Sequence, residues 1–201
     1  MIKDLKEIVK NVFLKNGGYA HSRELYKSGI TNYAIGKLEK ENYIVRIKKG
    51  FYRLSQYNHF SEYNDIFKLI PKGVICLVSA LSLHNLTTST PTEYHIAVER
   101  DTKVKIPDYP PIKVYYFSDK YYSEEITQVD FNGEKLTVYS MEKSICDSFR
   151  FRKRIGKDIL LESLKEYSRR KDKNVSKLMK YARASRVEKQ IKQYMEAFLY
   201  E

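Results

Sequence analysis

Lys48-Lys49-Gly50 stands between two short runs of alternating character, Tyr43 to Ile47 and Phe51 to Leu54, and shortly before it come Asn32, Tyr33, Lys37 and Lys40. Ammonium groups at a hairpin tip can neutralise phosphates, while amide and phenol groups at the start of a helix can meet the edges of bases. Non-covalent recognition of a polyanion is thus the first chemistry these residues offer. Covalent chemistry has weaker support. The four histidines, His21, His59, His84 and His95, form no H-x-x-x-H pair, and neither cysteine lies at metal-ligand spacing from them. The SALSLHNL setting of His84 suits a core or capping role. Asp147 follows Cys146 inside an apolar helix-like run, so a nucleophile and its base would have to be assembled from remote positions. Only eight glycines are present and none forms a phosphate-cradling loop. A nuclease built on scattered carboxylates, for instance Glu93, Asp130 and Glu134, is the remaining catalytic option. The expectation is a protein that is not an enzyme, with no catalytic residues, no metal and no cofactor.

The elements that must position the candidate residues follow from periodicity. Leu5, Ile8, Val9, Val12 and Phe13 recur at i, i+3, i+4, i+7 and i+8, which predicts a first helix ended by Gly17-Gly18. Ser22 is expected to cap a short second helix carrying Leu25 and Tyr26 and closed by Gly29. Thr31 then caps a third, with Ile30 and Ile35 at the two positions of a hydrophobic staple. Ile35 and Leu38 face inward, leaving Asn32, Tyr33, Lys37 and Lys40 outside. Gly36, costly by about 1 kcal/mol inside a helix, calls for a packing or close-approach reason. The runs around Lys48-Lys49-Gly50 read as a β-hairpin.

Three short helices and a basic hairpin make the plan of a winged helix-turn-helix, spanning residues 1–56. Its third helix would enter the major groove and its hairpin would grip the backbone. The candidate DNA-binding residues are Ser22, Arg23, Thr31, Asn32, Tyr33, Lys37, Lys40, Arg46, Lys48 and Lys49.

Charge agrees with this plan. The 201 residues carry a formal net charge of +12. Residues 1–56 hold 12 basic and 5 acidic side chains, residues 57–140 hold 8 and 11, and residues 141–201 hold 17 and 9. Two basic ends therefore flank a mildly acidic middle, as expected for a polyanionic partner. With 42% apolar residues the chain can bury one large core or two ordinary ones. Cys76 and Cys146 form no disulfide framework, which suits a reducing compartment. The N-terminal MIKDLKEIVKNVF lacks the apolar run of a signal peptide, and no window reaches a membrane span. A cytoplasmic protein with no membrane partner is expected.

After the polar stretch Ser55-Gln56-Tyr57-Asn58-His59 a larger domain is expected over 57–201, with a mixed sheet at 90–139 and helices at 140–201. Residues 61–70 and 79–86 read as helices, and Tyr94–Val98 and Lys113–Phe117 as strands. Asn132-Gly133 is a type I′ hairpin signal that pairs Asp130 with Lys135 and puts Val129, Phe131, Leu136 and Val138 on the other face. Four apolar stripes follow: Met141, Ile145, Ser148 and Phe149; Leu160, Leu164 and Tyr167; Leu178, Met179 and Ala182; Ile191, Tyr194, Met195 and Phe198. The fold class expected is α+β, a winged helix-turn-helix followed by a larger mixed α/β domain ending in several helices. Between the stripes lie Arg150, Arg152, Lys153 and Arg154, then Arg169, Arg170 and Lys171, each cluster either a solvated face or a secondary basic surface.

The stretch GGYAHSRELYKSGITNYAIGKLEKENYIVRIKKGFYRL resembles the N-terminal domain of AbiEi-type antitoxins, and SALSLHNLTTSTPTEYHIAV and VYSMEKSICDSFRFR are similar to the C-terminal domain of that family. The third helix here is less Arg-rich than the family pattern. The resemblance implies a type IV toxin-antitoxin system of bacterial phage defence. Such a protein represses its own operon through inverted repeats in the promoter and counteracts a nucleotidyltransferase-like toxin, AbiEii, without a stable complex. Lacking a long heptad seam, the chain is expected to bind two repeats cooperatively as monomers. The alternative is an RNA-interacting or metal-dependent nucleolytic protein that its N-terminal module only recruits to substrate.

Overall fold

A computed structural model describes residues 2–56, 61–107 and 109–198. His59 and most of the boundary stretch lie outside the described residues. The protein is a mixed α+β chain divided into two compact units, Met1–Lys68 with Ile106–Pro110, and Leu69–Lys105 with Pro111–Glu201.

The first unit contains α1 (Ile2–Lys15), β1 (Tyr19–His21), α2 (Ser22–Lys27), α3 (Asn32–Lys40), β2 (Ile44–Lys48) and β3 (Phe51–Leu54). It also takes in α4 (Glu62–Leu69) up to Lys68, well past residue 56. The strands form an antiparallel sheet in the order β1-β3-β2. Strand β1 has no counterpart in the sequence reading, because three residues cannot display an alternation. Gly17 and Gly18 both take positive φ and turn the chain into it. Thr31 caps α3 as expected, its Oγ1 accepting from Ala34 N–H at 3.3 Å. Ser22 does not cap α2: the helix begins at Ser22, and the cap is His21, whose N–H donates to Glu24 Oε2 at 2.6 Å. Val9, Phe13, Leu25, Ile30, Ile35, Leu38, Ile44 and Leu54 share one core. Ile8, expected on the apolar stripe of α1, is instead 45% exposed. Helix α4 is tied to the sheet by Asp65, a buried carboxylate that accepts from Tyr19 Oη at 2.8 Å and from Arg53 Nε at 3.2 Å. Burial pushes the Asp65 carboxyl upward, and these two donors oppose that shift.

The second unit is built on β4 (Val74–Ile75), β5 (Tyr94–Glu99), β6 (Ile112–Phe117), β7 (Ile126–Phe131) and β8 (Glu134–Tyr139), in the order β6-β5-β4-β8-β7. The sheet is mixed: β5 runs parallel to β6 and β4 to β8, while the other pairings are antiparallel. Strand β4, two residues long and central, escapes sequence reading for the same reason as β1. Asn132 and Gly133 both have positive φ, and the register puts Asp130 opposite Lys135 as expected. Helices α5 (Leu77–Leu83) and α6 (Asp119–Ser123) accompany the sheet, α5 starting two residues before the predicted 79. The predicted stripes then become α7 (Met141–Arg150), α8 (Lys157–Arg169), α9 (Val175–Ala184) and α10 (Glu188–Phe198). Ser140 caps α7 and Asn174 caps α9. Among the described residues, no helix is long and apolar enough to cross a membrane.

Beneath α7 lies a feature that the stripe pattern does not reveal. Lys143 and Asp147 are both completely buried, with Nζ 3.1 Å from Asp147 Oδ2. The ammonium lies over the rings of Tyr121, Tyr139 and Phe117, at 3.5, 4.3 and 5.2 Å from their centroids. Tyr121 Oη donates to Asp147 Oδ1 and lies 2.8 Å from Ser185 Oγ. Burial drives Asp147 up and Lys143 down, and their mutual attraction resists both shifts.

His95, on β5, is nearly enclosed, and its Nδ1 has no hydrogen-bond partner among the described residues. Burial and the nearby Lys113 lower its pKa from 6.5 to about 4. The unfolded chain therefore binds the proton first on acidification. This contribution to stability is present above pH 6.5 and is lost as the pH falls through 4. The loss is on the order of 3 kcal/mol. Thermal unfolding followed between pH 7 and pH 4 should show it, and His95→Phe should flatten the dependence; an unchanged slope in that variant would refute the assignment.

Candidate nucleic-acid interface

The candidate residues of the first unit gather on α3 and the β2–β3 hairpin. Ile35 and Leu38 are buried, and this fixes the rotation of α3 so that Asn32, Tyr33, Lys37 and Lys40 are exposed, Tyr33 by 82%. Tyr33, Gly36, Lys37 and Lys40 follow the i, i+3, i+4, i+7 spacing of one helical face. A Cβ placed on Gly36 meets nothing within 4 Å. The packing reason expected for this glycine is therefore absent within the described residues, and the helix carries a notch between Tyr33 and Lys40.

The hairpin tip is equally well defined. Gly50 has positive φ and closes the turn, and its carbonyl accepts from Ser22 N–H at 2.9 Å, which joins the tip to the start of α2. Lys49 is exposed, and Lys48 Nζ lies 5.6 Å from the Phe51 ring centroid. Arg46 is turned back onto α3: its Nη2 meets Glu39 Oε2 at 2.8 Å, and its guanidinium lies over Tyr52. Arg46 thus fixes the hairpin relative to α3 while its own charge is shared with Glu39. Arg23 is exposed on α2, and Thr31 is occupied as the cap. Tyr26, a residue the sequence reading did not select, is 46% exposed and its Oη donates to Asn32 Oδ1. Its six-residue separation from Asn32 spans two helices, so no single periodicity links the two. That bond leaves both Nδ2 hydrogens of Asn32 available to an acceptor.

In the second unit the two basic clusters differ. Arg169 pairs with Glu166 at 2.7 Å, and Arg170 makes a double contact with Asp172 at 2.8 and 2.9 Å and reaches the His84 carbonyl. Lys171 is exposed. This cluster is largely neutralised within its own helix end. By contrast, Arg150, Arg152, Lys153 and Arg154 are all exposed and make no carboxylate ion pair among the described residues. Arg150 stacks over Tyr121 at 4.9 Å.

The groups considered for catalysis are dispersed or enclosed. Among the described residues no three His, Cys, Asp or Glu side chains could hold a metal ion. Glu93 pairs with Lys113 at 3.3 Å, and Asp130 accepts from Gly133 N–H at the hairpin turn. Cys76 and Cys146 are fully buried, with thiols that burial pushes well up. His84 is the C-cap residue of α5, within the core or capping role its setting suggested, and its Nε2 lies 2.7 Å from the Tyr139 carbonyl. His21 caps α2, its ring 4.6 Å from Phe51.

The chain matches no protein-family model and no curated protein.

Proposed function

We propose that the first unit is a winged helix-turn-helix that binds double-stranded DNA, with α3 in the major groove and the β2–β3 hairpin on the flanking phosphates. One observation carries this: the exposed face of α3, with Asn32, Tyr33, Gly36, Lys37 and Lys40, is held beside the Lys48-Lys49 tip by the Arg46–Glu39 ion pair. The amide and phenol read base edges, and the lysines neutralise phosphates. On the resemblance to AbiEi-type antitoxins, the protein acts as a cytoplasmic repressor. It binds inverted repeats in its own promoter and counteracts a nucleotidyltransferase-like toxin without a stable complex.

A gel shift of the full chain against the DNA upstream of its own gene, at two salt concentrations and with scrambled competitor, tests this. The native fragment should stay bound through excess competitor, with affinity falling steeply as salt rises. Complete loss to competitor would leave only general basicity and would sink the repressor assignment.

A further inference from the structure

Between the end of α7, the start of α8 and α10, a cavity of about 300 Å³ opens in the second unit. Phe149, Leu160 and Leu161 give it an apolar floor, and Tyr194, whose ring lies 6.1 Å from that of Phe149, gives it an aromatic wall. Arg152 and Lys157 stand at its edge, and Gln190 adds an amide that can both donate and accept. Among the described residues no carboxylate lines the cavity, and neither cation forms a carboxylate ion pair. Arg152 spends one donor on the Phe149 carbonyl at 3.2 Å, which orients the guanidinium and leaves its other donors open. Helix α8 begins at Lys157 behind Gly156, a cap without a side-chain acceptor, and Asp158 in its first turn offsets the positive end of its dipole, so the field at this edge rests on the Arg152 and Lys157 side chains. A concave site lined by one sign of charge over low-dielectric walls concentrates anions. The volume sits at the lower end of ligand pockets and suits a single nucleotide-sized molecule.

We infer that this cavity binds one nucleotide, with its phosphate on Arg152 and Lys157 and its base against Tyr194 and the two leucines. The nucleotide is either free or an unstacked residue of single-stranded RNA; a base stacked inside a duplex cannot enter. The site lies in the second unit and its residues include none of the α3 face.

Calorimetric titration of the full chain tests this with AMP, GMP, CMP and UMP, with inorganic phosphate, and with a short single-stranded RNA. Nucleotide is expected to bind at least about tenfold more tightly than phosphate, the difference contributed by stacking. Tyr194→Leu should erase that difference, and a combined Arg152→Ala and Lys157→Ala variant should lower the affinity for phosphate as well. Arg152 and Lys157 are both exposed, so the double variant should keep its circular dichroism spectrum and melting profile. Binding by the free nucleotides makes the ligand a small molecule; binding by RNA alone, lost in the same variants, makes it an RNA residue. No binding by either, or binding that the double variant leaves unchanged, overturns the inference.

Discussion

Asp147→Ala is expected to cost the second unit about 3–5 kcal/mol, a large share of the 5–15 kcal/mol that usually holds a domain folded. The substitution leaves the Lys143 ammonium at zero exposure with its anion gone, and it removes the carboxylate that Tyr121 Oη donates to, leaving that hydroxyl Ser185 Oγ at 2.8 Å. The aromatic rings around Nζ compensate only in part, since cation–π contacts contribute about 0.5–2 kcal/mol. Replacing both members, Lys143→Met with Asp147→Leu, should recover most of the loss, because similar apolar volume then fills the space without a charge to desolvate. Urea titration followed by circular dichroism decides this. A loss below about 1 kcal/mol for Asp147→Ala would show that water or another group reaches Nζ.

The second large effect concerns the proposed DNA contact. Lys48→Ala with Lys49→Ala should weaken binding to every sequence alike, by about tenfold, and lower the salt slope by about 2, because two phosphate contacts disappear. Asn32→Ala should instead cost about 1–3 kcal/mol on the native operator alone and relax the preference at one base pair. Gly36→Ala separates fold from function by sign. A methyl in open space on a helix should raise stability by up to about 1 kcal/mol, yet in the proposed complex it would stand between the α3 backbone and the DNA and should weaken binding. Binding titrations at several salt concentrations, beside thermal melts, read all three. Equal loss on every DNA from the Asn32 and the lysine variants would rule out α3 as the base reader.

Periodicity alone determined much of this protein. The stripes that became α1, α3 and α7 to α10, the hairpin around Lys48-Lys49-Gly50, the Thr31 cap and the Asn132-Gly133 turn are local patterns, set by neighbours within a few residues. The exposed face of α3 was legible for the same reason, since burying Ile35 and Leu38 leaves only one rotation.

What required the tertiary structure depends on contacts far apart in the chain. Strands β1 and β4 are too short to carry a pattern and exist only through pairing with β3 and with β5 and β8. Tyr26 orients Asn32, and Glu39 restrains Arg46, across helix and sheet boundaries that no single period crosses. Composition could not tell the paired cations at 169–170 from those at 150–154, which make no carboxylate ion pair among the described residues, because the difference lies in which carboxylates the fold brings near. The sequence shows Asp147 inside an apolar helix-like run but not its pairing with Lys143. Their burial follows from the packing of α7 against α5, α8 and α9 and from rings that α6, β6 and β8 bring to it, where an ammonium, a carboxylate and three aromatic rings satisfy one another out of water.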